Sequence, residues 1–478
     1  MEYPTAHLLI LGAGESGVGA ALLAQALGLR PLVSEHGTMA EATRSVLDGA
    51  GIAWEDGGHS AAALAGVTLA VKSPGIPDTA APVVALRAAG CEVISEIEFA
   101  SRHCGGARVI AITGSNGKTT TTALTHAILR DAGVPVACVG NIGPSWARDC
   151  AERITAQLPF PAWYVVEVSS FQLDGCNTFR PDVAILLNIT PDHLDRYGYS
   201  LDAYADSKWR ITRCQGPQDL LILNAEDALS LARWAQFAGE TPGTRARVIP
   251  FSTERSTDAL QTLLAQAGHR PDGVCALQPG RPETFEILPS QPNPFEMNIQ
   301  DLALQGKHNL QNSMAASIAS RALELRKDSV RESLKAFDAI EHRMEFVQSV
   351  NGIRFINDSK ATNVNSAWFA LESIPGPIIW IAGGVDKGND YTSLLHLVAD
   401  KVDHLVCLGR DNAKLRATFG DRVKTVTEVD TAAAAVQAAY DLAMPGHTVL
   451  LSPACASFDL FGNYEERGRA FKAAVRAL

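Results

Sequence analysis

Between an apolar run, Val109 to Thr113, and a helical segment lies the stretch Gly114-Ser115-Asn116-Gly117-Lys118-Thr119-Thr120. A loop that cradles phosphates needs glycines for close backbone approach, a lysine for the β and γ oxygens, and a hydroxyl for Mg2+. Gly117, Lys118 and Thr119 supply all of them in order. The common form of this loop has its first glycine where Ile112 stands, so with Gly114 in that role the turn is tighter. A strand before it and a helix after it distinguish it from a chance Gly-Lys-Thr in a surface turn, and the reading is an ATP site.

A second glycine-rich turn, Gly12-Ala13-Gly14-Glu15-Ser16-Gly17, follows the run His7 to Leu11 and opens a helix, and Glu35 closes the next apolar run. That spacing meets the dinucleotide fingerprint, in which glycines bring a pyrophosphate to a helix N-terminus; a tight strand-to-helix turn without a ligand is the alternative. Glu167 ends the run Trp163 to Val168 and is either a solvated strand end or a carboxylate facing the phosphates as a Mg2+ ligand. Pro191-Asp192-His193-Leu194-Asp195 follows Val183 to Leu187 at the same expected sheet edge, and reads equally as structure or as a metal or substrate contact.

The elements that must hold these groups follow from the composition. With 478 residues, 46% of them apolar and 19% charged, the chain is globular and long enough for several domains. The 41 basic against 52 acidic residues give a net charge of −11, which disfavours a nucleic-acid partner and leaves anions to local donors. The 9 cysteines (odd in number, scattered, with no Cys-x-x-Cys) predict reduced thiols in a cytoplasmic protein. No basic leader and no apolar stretch of spanning length are present, so neither export nor a membrane span is expected.

Short apolar runs alternate with helical Ala/Leu-rich segments: Thr68 to Val71, Leu220 to Leu223, Ile378 to Ala382, His404 to Leu408 and Thr448 to Leu451 join the runs above. Alternation of this kind predicts an α/β fold of βαβ units with parallel sheets and ligands at the carboxyl ends of the strands. From His269 to Asn298 the rhythm breaks at Pro271, Pro279, Pro282, Pro289, Pro292 and Pro294, which predicts an edge hairpin with surface loops. A helix is expected over Asn309 to Glu324 and a new βα series near Ile340 to Arg343, giving divisions at 1–100, 101–339 and 340–478.

Taken together, the motifs resemble those of the ATP-dependent Mur ligases over nearly the whole chain. They include Thr113 to Thr119, Gly140-Asn141-Ile142-Gly143, Glu167 to Leu173, Asn188 to Asp195, Gly306 to Asn309, His342-Arg343, Asn357 to Asn363, Gly383 to Gly388 and Ser452 to Asp459. The resemblance implies three domains: an N-terminal Rossmann-like domain for a UDP sugar, a central phosphate-loop ATPase domain with a parallel sheet, and a C-terminal Rossmann-like α/β domain that closes over an amino acid. Gly383 to Gly388 and Ser452 to Asp459 are similar to the D-glutamate-adding branch. That implies a cytoplasmic ligase of peptidoglycan precursor synthesis, acting through an acyl phosphate on UDP-N-acetylmuramoyl-L-alanine and D-glutamate.

Carried over by position, the resemblance implies that Lys118, Glu167, His193, Lys208 and Arg343 are catalytic. ATP would meet Gly114 to Thr120, Asn309, Asn312, Arg343, Asp358 and Lys360. Gly14, Ser16, Gly17, Ser73, Gly75, Asn141 and His193 would meet the UDP sugar, and Thr362, Lys387, Ser457 and Tyr464 the D-glutamate. Two Mg2+ ions would be held by Thr119, Glu167, His193 and Lys208, the last as a carbamate. Read alone, Lys208 is a solvated lysine on a helix; an anionic carbamate is what would make it compatible with metal ions. A monomer is expected. A sister Mur ligase or folylpolyglutamate synthase shares the Lys118 loop, and an NAD-dependent oxidoreductase or a nucleotide sensor shares the glycine turns.

Overall fold

The runs read as strands all form strands, and the reason is visible in the first of them. In His7–Leu11, Leu8 and Ile10 enter one apolar layer while Leu9 and Leu11 enter another. A strand covered on both faces is apolar at every position instead of alternating. The computed structural model describes residues 7–238, 246–266, 273–289, 294–337, 341–386 and 389–478. They form two compact units, Met1–Phe337 and Asp338–Leu478.

The first unit contains two sheets. One is parallel and five-stranded, in the order Ala53–Glu55, Pro31–Ser34, His7–Leu11, Val67–Lys72 and Glu92–Ser95. The chain winds outward to either side of His7–Leu11, so the Gly12 turn opens at a topological switch point. The other sheet has nine strands, and its Arg108–Thr113 lies between Trp163–Glu167 and Val183–Leu186. Winding again reverses there, which places the Lys118 loop at the second switch point. Helix Glu15–Ala26 packs on helix Trp146–Thr155, and one continuous apolar cluster runs from Leu8 through Phe99 and Trp146 to Tyr164 and Leu223.

The proline-rich stretch forms the expected antiparallel edge: Gly273–Gln278, Arg281–Pro289 and Phe295–Asn298 close one side of the nine-stranded sheet. Within Arg281–Pro289 only Phe285 to Ile287 are paired on both sides; Pro282 is in neither register and Pro289 is paired on one side alone, with Gly273, so neither proline sits where a strand is flanked on both sides. Pro271 and Pro292 lie outside the described residues.

The second unit is a six-stranded sheet, parallel apart from its edge strand Glu345–Val350. Ile353–Asn357, Thr448–Leu451 and Ile378–Ala382 are neighbours at its centre. All nine cysteines are free thiols, and among the described residues no helix is long and apolar enough to cross a membrane.

Candidate functional site

Arg108–Thr113 delivers the chain into Gly114 to Gly117, and Lys118 begins the helix Lys118–Asp131. Gly117 sits at φ +83°, where a Cβ would also collide with the Asn312 Oδ1, so glycine is required there twice over. The loop is locked from the side by the segment after Val183–Leu186. Asn116 N donates to Asn188 Oδ1 at 2.8 Å, Ser115 Oγ donates to Thr190 O at 2.8 Å, and Thr190 N donates to Ser115 Oγ at 2.9 Å. These bonds fix the loop that leads into the start of helix Lys118–Asp131, where helix N–H groups as a rule favour anions.

Two lysines converge on one carbonyl oxygen of this loop. Lys118 Nζ donates to Gly114 O at 2.8 Å and to Ser115 O at 2.9 Å, and Lys208 Nζ donates to the same Gly114 O at 2.8 Å. Lys208, on helix Leu201–Trp209, is only 1% exposed, with its amine 4.5 Å from the centre of the Tyr204 ring. The solvated reading of this lysine is therefore wrong: tertiary packing buries the face of the helix that carries it. Burial, and then the charge of Lys118, hold its pKa well below the usual lysine value, against the opposing pull of Asp192, Asp174 and Glu167.

Glu167 is buried, not a solvated strand end. Asn141 Nδ2 donates to its Oε1 at 3.0 Å, and Asn141 N donates to its carbonyl at 2.9 Å, so the Gly140-Asn141 turn fixes it. Its Oε2 is buried without a hydrogen-bond partner among the described residues. An orphaned carboxylate oxygen beside a phosphate loop, with the Thr119 hydroxyl close in sequence to the loop lysine, fits a hard oxygen-seeking cation such as Mg2+. His193 stands half-buried at φ +53°, edge-on to Phe171 with ring centres 5.1 Å apart and Nε2 3.7 Å from Asp192 Oδ1. Asn312 Oδ1 accepts from Thr121 Oγ1 at 3.2 Å, tying helix Lys307–Ala322 to the loop helix, and Asn309 Nδ2 donates to Gln305 O at 2.9 Å.

In the five-stranded sheet, Gly14, Ser16 and Gly17 open the helix after His7–Leu11, and Ser73 and Gly75 follow the neighbouring Val67–Lys72. A Cβ on Gly17 would collide with the Gly12 carbonyl, which explains that glycine by packing alone. Glu35 does not stand open as a ribose-binding acid would: its carboxylate accepts from Ala13 N at 2.7 Å and Gly37 N at 3.0 Å. Arg196, three residues beyond His193, donates to Gly75 O at 3.0 Å and Pro74 O at 3.2 Å while lying 4.5 Å over the Phe171 ring. Within the first unit, the Ser73-Pro74-Gly75 turn is thereby joined to the His193 segment.

In the second unit Asp358, Lys360 and Thr362 follow the carboxyl end of Ile353–Asn357, and Ser457 follows that of Thr448–Leu451. Arg343 lies between His342 at φ +66° and Met344 at φ +46°, a strained stretch of the kind that persists where its surroundings dictate it. Asp358 accepts from Ser452 Oγ at 2.9 Å and Met344 N at 3.2 Å; burial raises its pKa to about 7, with Arg343 opposing. Lys360 Nζ lies 5.3 Å over the Tyr464 ring, Thr362 N donates to Lys360 O at 2.8 Å, and Ser457 is buried beyond Ala454, which is held at φ +59°. Lys387 lies outside the described residues. Asn188 entered the sequence reading only as the start of the Asn188 to Asp195 motif, with no role assigned, and Tyr204, Asp174 and Arg196 were given none.

A Mur ligase middle-domain model matches residues 112–320, and a Mur ligase, glutamate ligase domain model matches 342–455. The UDP-N-acetylmuramoylalanine–D-glutamate ligase of Christiangramia forsetii is 45% identical over 98% of this chain and 99% of that protein. The chain belongs to the Mur ligases. The ligase of the same description from Bacteroides fragilis is 44% identical, covering 99% of this chain and 100% of its own length. Among solved structures, the UDP-N-acetylmuramate–alanine ligase of Thermotoga maritima aligns at a TM-score of 0.59 with 18% identity over 98% of this Mur ligase and 99% of that chain. The MurF ligase of Thermotoga maritima in complex with ADP aligns at 0.58 with 14% identity over 95% and 99%. At such identities these structures establish the shared α/β fold.

Proposed function

We propose that this chain is the ATP-dependent ligase that joins D-glutamate to UDP-N-acetylmuramoyl-L-alanine, a step of peptidoglycan precursor synthesis. The reaction class is supported by one observation above the others: Lys118 and Lys208 meet at Gly114 O in a preformed phosphate loop beside the orphaned oxygen of Glu167. The acceptor follows from the D-glutamate ligases that are 44–45% identical over almost the full chain.

In this reading the L-alanyl carboxylate attacks the γ-phosphorus of ATP. A carboxylate O–P bond forms, the bond to the β-γ bridging oxygen breaks, and ADP leaves. Lys118, released from the loop carbonyls, follows the γ-phosphate, and Arg343 is a second cation for the transferring group. The amine of D-glutamate then attacks the acyl carbon, loses a proton, and expels phosphate carrying one oxygen of the former carboxylate. The Ser115 and Asn116 N–H groups are taken up by Asn188, and with Ser115 Oγ bonded to Thr190 they fix the loop, so the β-phosphate falls to the N–H groups at the start of helix Lys118–Asp131. Mg2+ would be held by Thr119, Glu167, His193 and Lys208 over two sites, and when bound supplies positive charge to the phosphoryl oxygens.

Lys208 is the carbamate in this scheme. Burial and the charge of Lys118 lower its pKa and so favour the neutral amine that addition to CO2 requires: an N–C bond forms, one proton leaves, and a cation-repelling site becomes an anionic one. Asn309, Asn312, Asp358 and Lys360 are further ATP contacts. Gly14, Ser16, Gly17, Ser73, Gly75, Asn141 and His193 face the UDP sugar, and Thr362, Lys387, Ser457 and Tyr464 take the D-glutamate carboxylates. Residues 1–100, 101–339 and 340–478 serve UDP sugar, ATP and amino acid in turn, in a cytoplasmic monomer.

Phosphate release with ATP, Mg2+ and UDP-N-acetylmuramoyl-L-alanine, run against D-glutamate, L-glutamate, L-alanine, L-lysine and meso-diaminopimelate, tests the reading. Turnover with D-glutamate alone, and a product heavier by one glutamyl residue, is expected. Turnover with another acceptor would move the chain to a sister ligase, and ATP binding without any turnover would favour a nucleotide sensor.

A further inference from the structure

Arg467 is 1% exposed, on the first turn of helix Tyr464–Arg476 in the second unit, and nothing in the proposed reaction uses it. Its guanidinium reaches the end of each of the three central strands. Nε donates to Ser359 Oγ at 3.0 Å and Nη2 to Ser359 O at 2.9 Å, in the loop after Ile353–Asn357. Nη1 donates to Gly383 O at 3.4 Å, just beyond Ile378–Ala382. Both Nη atoms donate to Cys455 O at 3.3 Å, in the loop after Thr448–Leu451. Ser359 Oγ in turn donates to Tyr464 O at 2.8 Å, so the helix start joins the same network.

Three features set this arginine apart from an ordinary core residue. A guanidinium carries five N–H donors in a rigid fork, and here each donor nitrogen has protein acceptors. Those acceptors are carbonyl and hydroxyl oxygens, not carboxylates, and although burial lowers its pKa to about 10 it is a cation at neutral pH. A buried charge of this kind is costly to maintain and is retained where it specifies an arrangement. Other hydrogen bonds join these loops two at a time, such as Gly383 N to Pro453 O at 2.9 Å, Ser452 Oγ to Asp358 Oδ2 at 2.9 Å, Asn389 Nδ2 to Ala454 O at 3.1 Å and the short pairing of Val385 with Ala456, whereas the Arg467 guanidinium reaches all three. They are also the loops that lead to Thr362, Ser457 and Tyr464.

We propose that Arg467 is a positioning residue for the amino-acid acceptor: from beneath, it holds in register the three strand-end loops and the helix start that together form the D-glutamate site. The proposal rests on the assignment of D-glutamate to these loops. The acceptor amine must meet a short-lived acyl phosphate, so a small loss of register lets water compete for it. A lysine keeps the charge but lacks the fork, and a methionine lacks both.

The test uses the full-length enzyme and the variants Arg467→Lys, Arg467→Met and, as a milder change, Ser359→Ala. The KM for each substrate is measured with the ratio of phosphate released to glutamyl product formed. The expected result is a rise of about tenfold or more in the KM for D-glutamate, the loss of one or more hydrogen bonds to a charged group. The KM for UDP-N-acetylmuramoyl-L-alanine should stay within about twofold on the same scale, any rise in that for ATP, whose contacts Asp358 and Lys360 flank Ser359, should be smaller than the rise for D-glutamate, and the phosphate-to-product ratio should rise above that of the parent. Arg467→Met should be worse than Arg467→Lys, and Ser359→Ala should show the same signature in smaller degree. A lower fraction of active enzyme with an unchanged ratio and unchanged KM values, in Ser359→Ala as in the arginine variants, would overturn the proposal and leave Arg467 a packing residue. A parent enzyme that ignores D-glutamate would instead remove the reading on which the proposal rests.

Discussion

Replacing Glu96 with glutamine should make the protein more stable than its parent above neutral pH, and less so, or not at all, below pH 5. Glu96 begins helix Glu96–Ser101 and is buried where that helix meets Trp146–Thr155. Its Oε1 accepts from Ala147 N at 2.6 Å, while Oε2 has no partner among the described residues. Burial raises its pKa from the usual 4.5 to about 7, with the Ala147 N–H opposing and Glu15 assisting. The folded protein thus keeps a proton that the unfolded chain releases, so stability is full below the unfolded value and falls as pH rises through the folded one. At 1.36 kcal/mol per tenfold in proton affinity, the interval between 4.5 and 7 corresponds to a loss of ~3 kcal/mol, complete by about pH 8. Glutamine retains the acceptor for Ala147 N and cannot ionise; its amide donors lack partners, a cost of about 1–2 kcal/mol that does not depend on pH. Urea unfolding of the first unit, followed for parent and variant at pH 5 and pH 8.5, isolates the effect because the constant cost cancels in the double difference. A shift of ~3 kcal/mol in favour of the variant at high pH is expected, and a double difference near zero would refute the reasoning.

Other consequences concern the reaction. Lys118→Ala should lower turnover by about a hundredfold or more, as removal of a charge-stabilising donor at a transferring group does, while circular dichroism stays that of the parent. Glu167→Gln keeps the Asn141 contact but halves the charge-bearing oxygens, and should raise the Mg2+ concentration needed for half-maximal rate by about tenfold or more; an unchanged Mg2+ titration would remove Glu167 from the metal site. Equilibration with 13C-labelled bicarbonate should give a carbamate carbon resonance in the parent that Lys208→Ala lacks, and a parent spectrum without that resonance would refute the carbamate. Asn188→Ala should raise the KM for ATP while leaving that for D-glutamate unchanged, because it frees Asn116 N without touching the second unit; equal changes in both would contradict the locking role.

The sheets were legible because strands covered on both faces are apolar throughout and end in glycine turns, as His7–Leu11 and Arg108–Thr113 do. The phosphate loop was legible for a related reason: its glycines, lysine and hydroxyls are contiguous, so one segment carries the whole signal. Lys208 was not legible from its own surroundings, since its burial is set by helix Leu201–Trp209 settling against Gly114, 94 residues away along the chain. The resemblance of motifs supplied it instead. Arg467 gave no signal of either kind: its partners Ser359, Gly383 and Cys455 contribute mainly backbone carbonyls, which no residue type announces. Glu35 shows the reverse failure, a correct spacing whose carboxylate turned out to close its own glycine turn.

The central claim is that the L-alanyl carboxylate is activated by phosphoryl transfer before D-glutamate attacks. UDP-N-acetylmuramoyl-L-alanine labelled with 18O in that carboxylate, turned over with ATP, Mg2+ and D-glutamate, tests it by mass spectrometry of the released phosphate. The account predicts one 18O in the phosphate for each amide formed. Unlabelled phosphate released alongside labelled amide would contradict it.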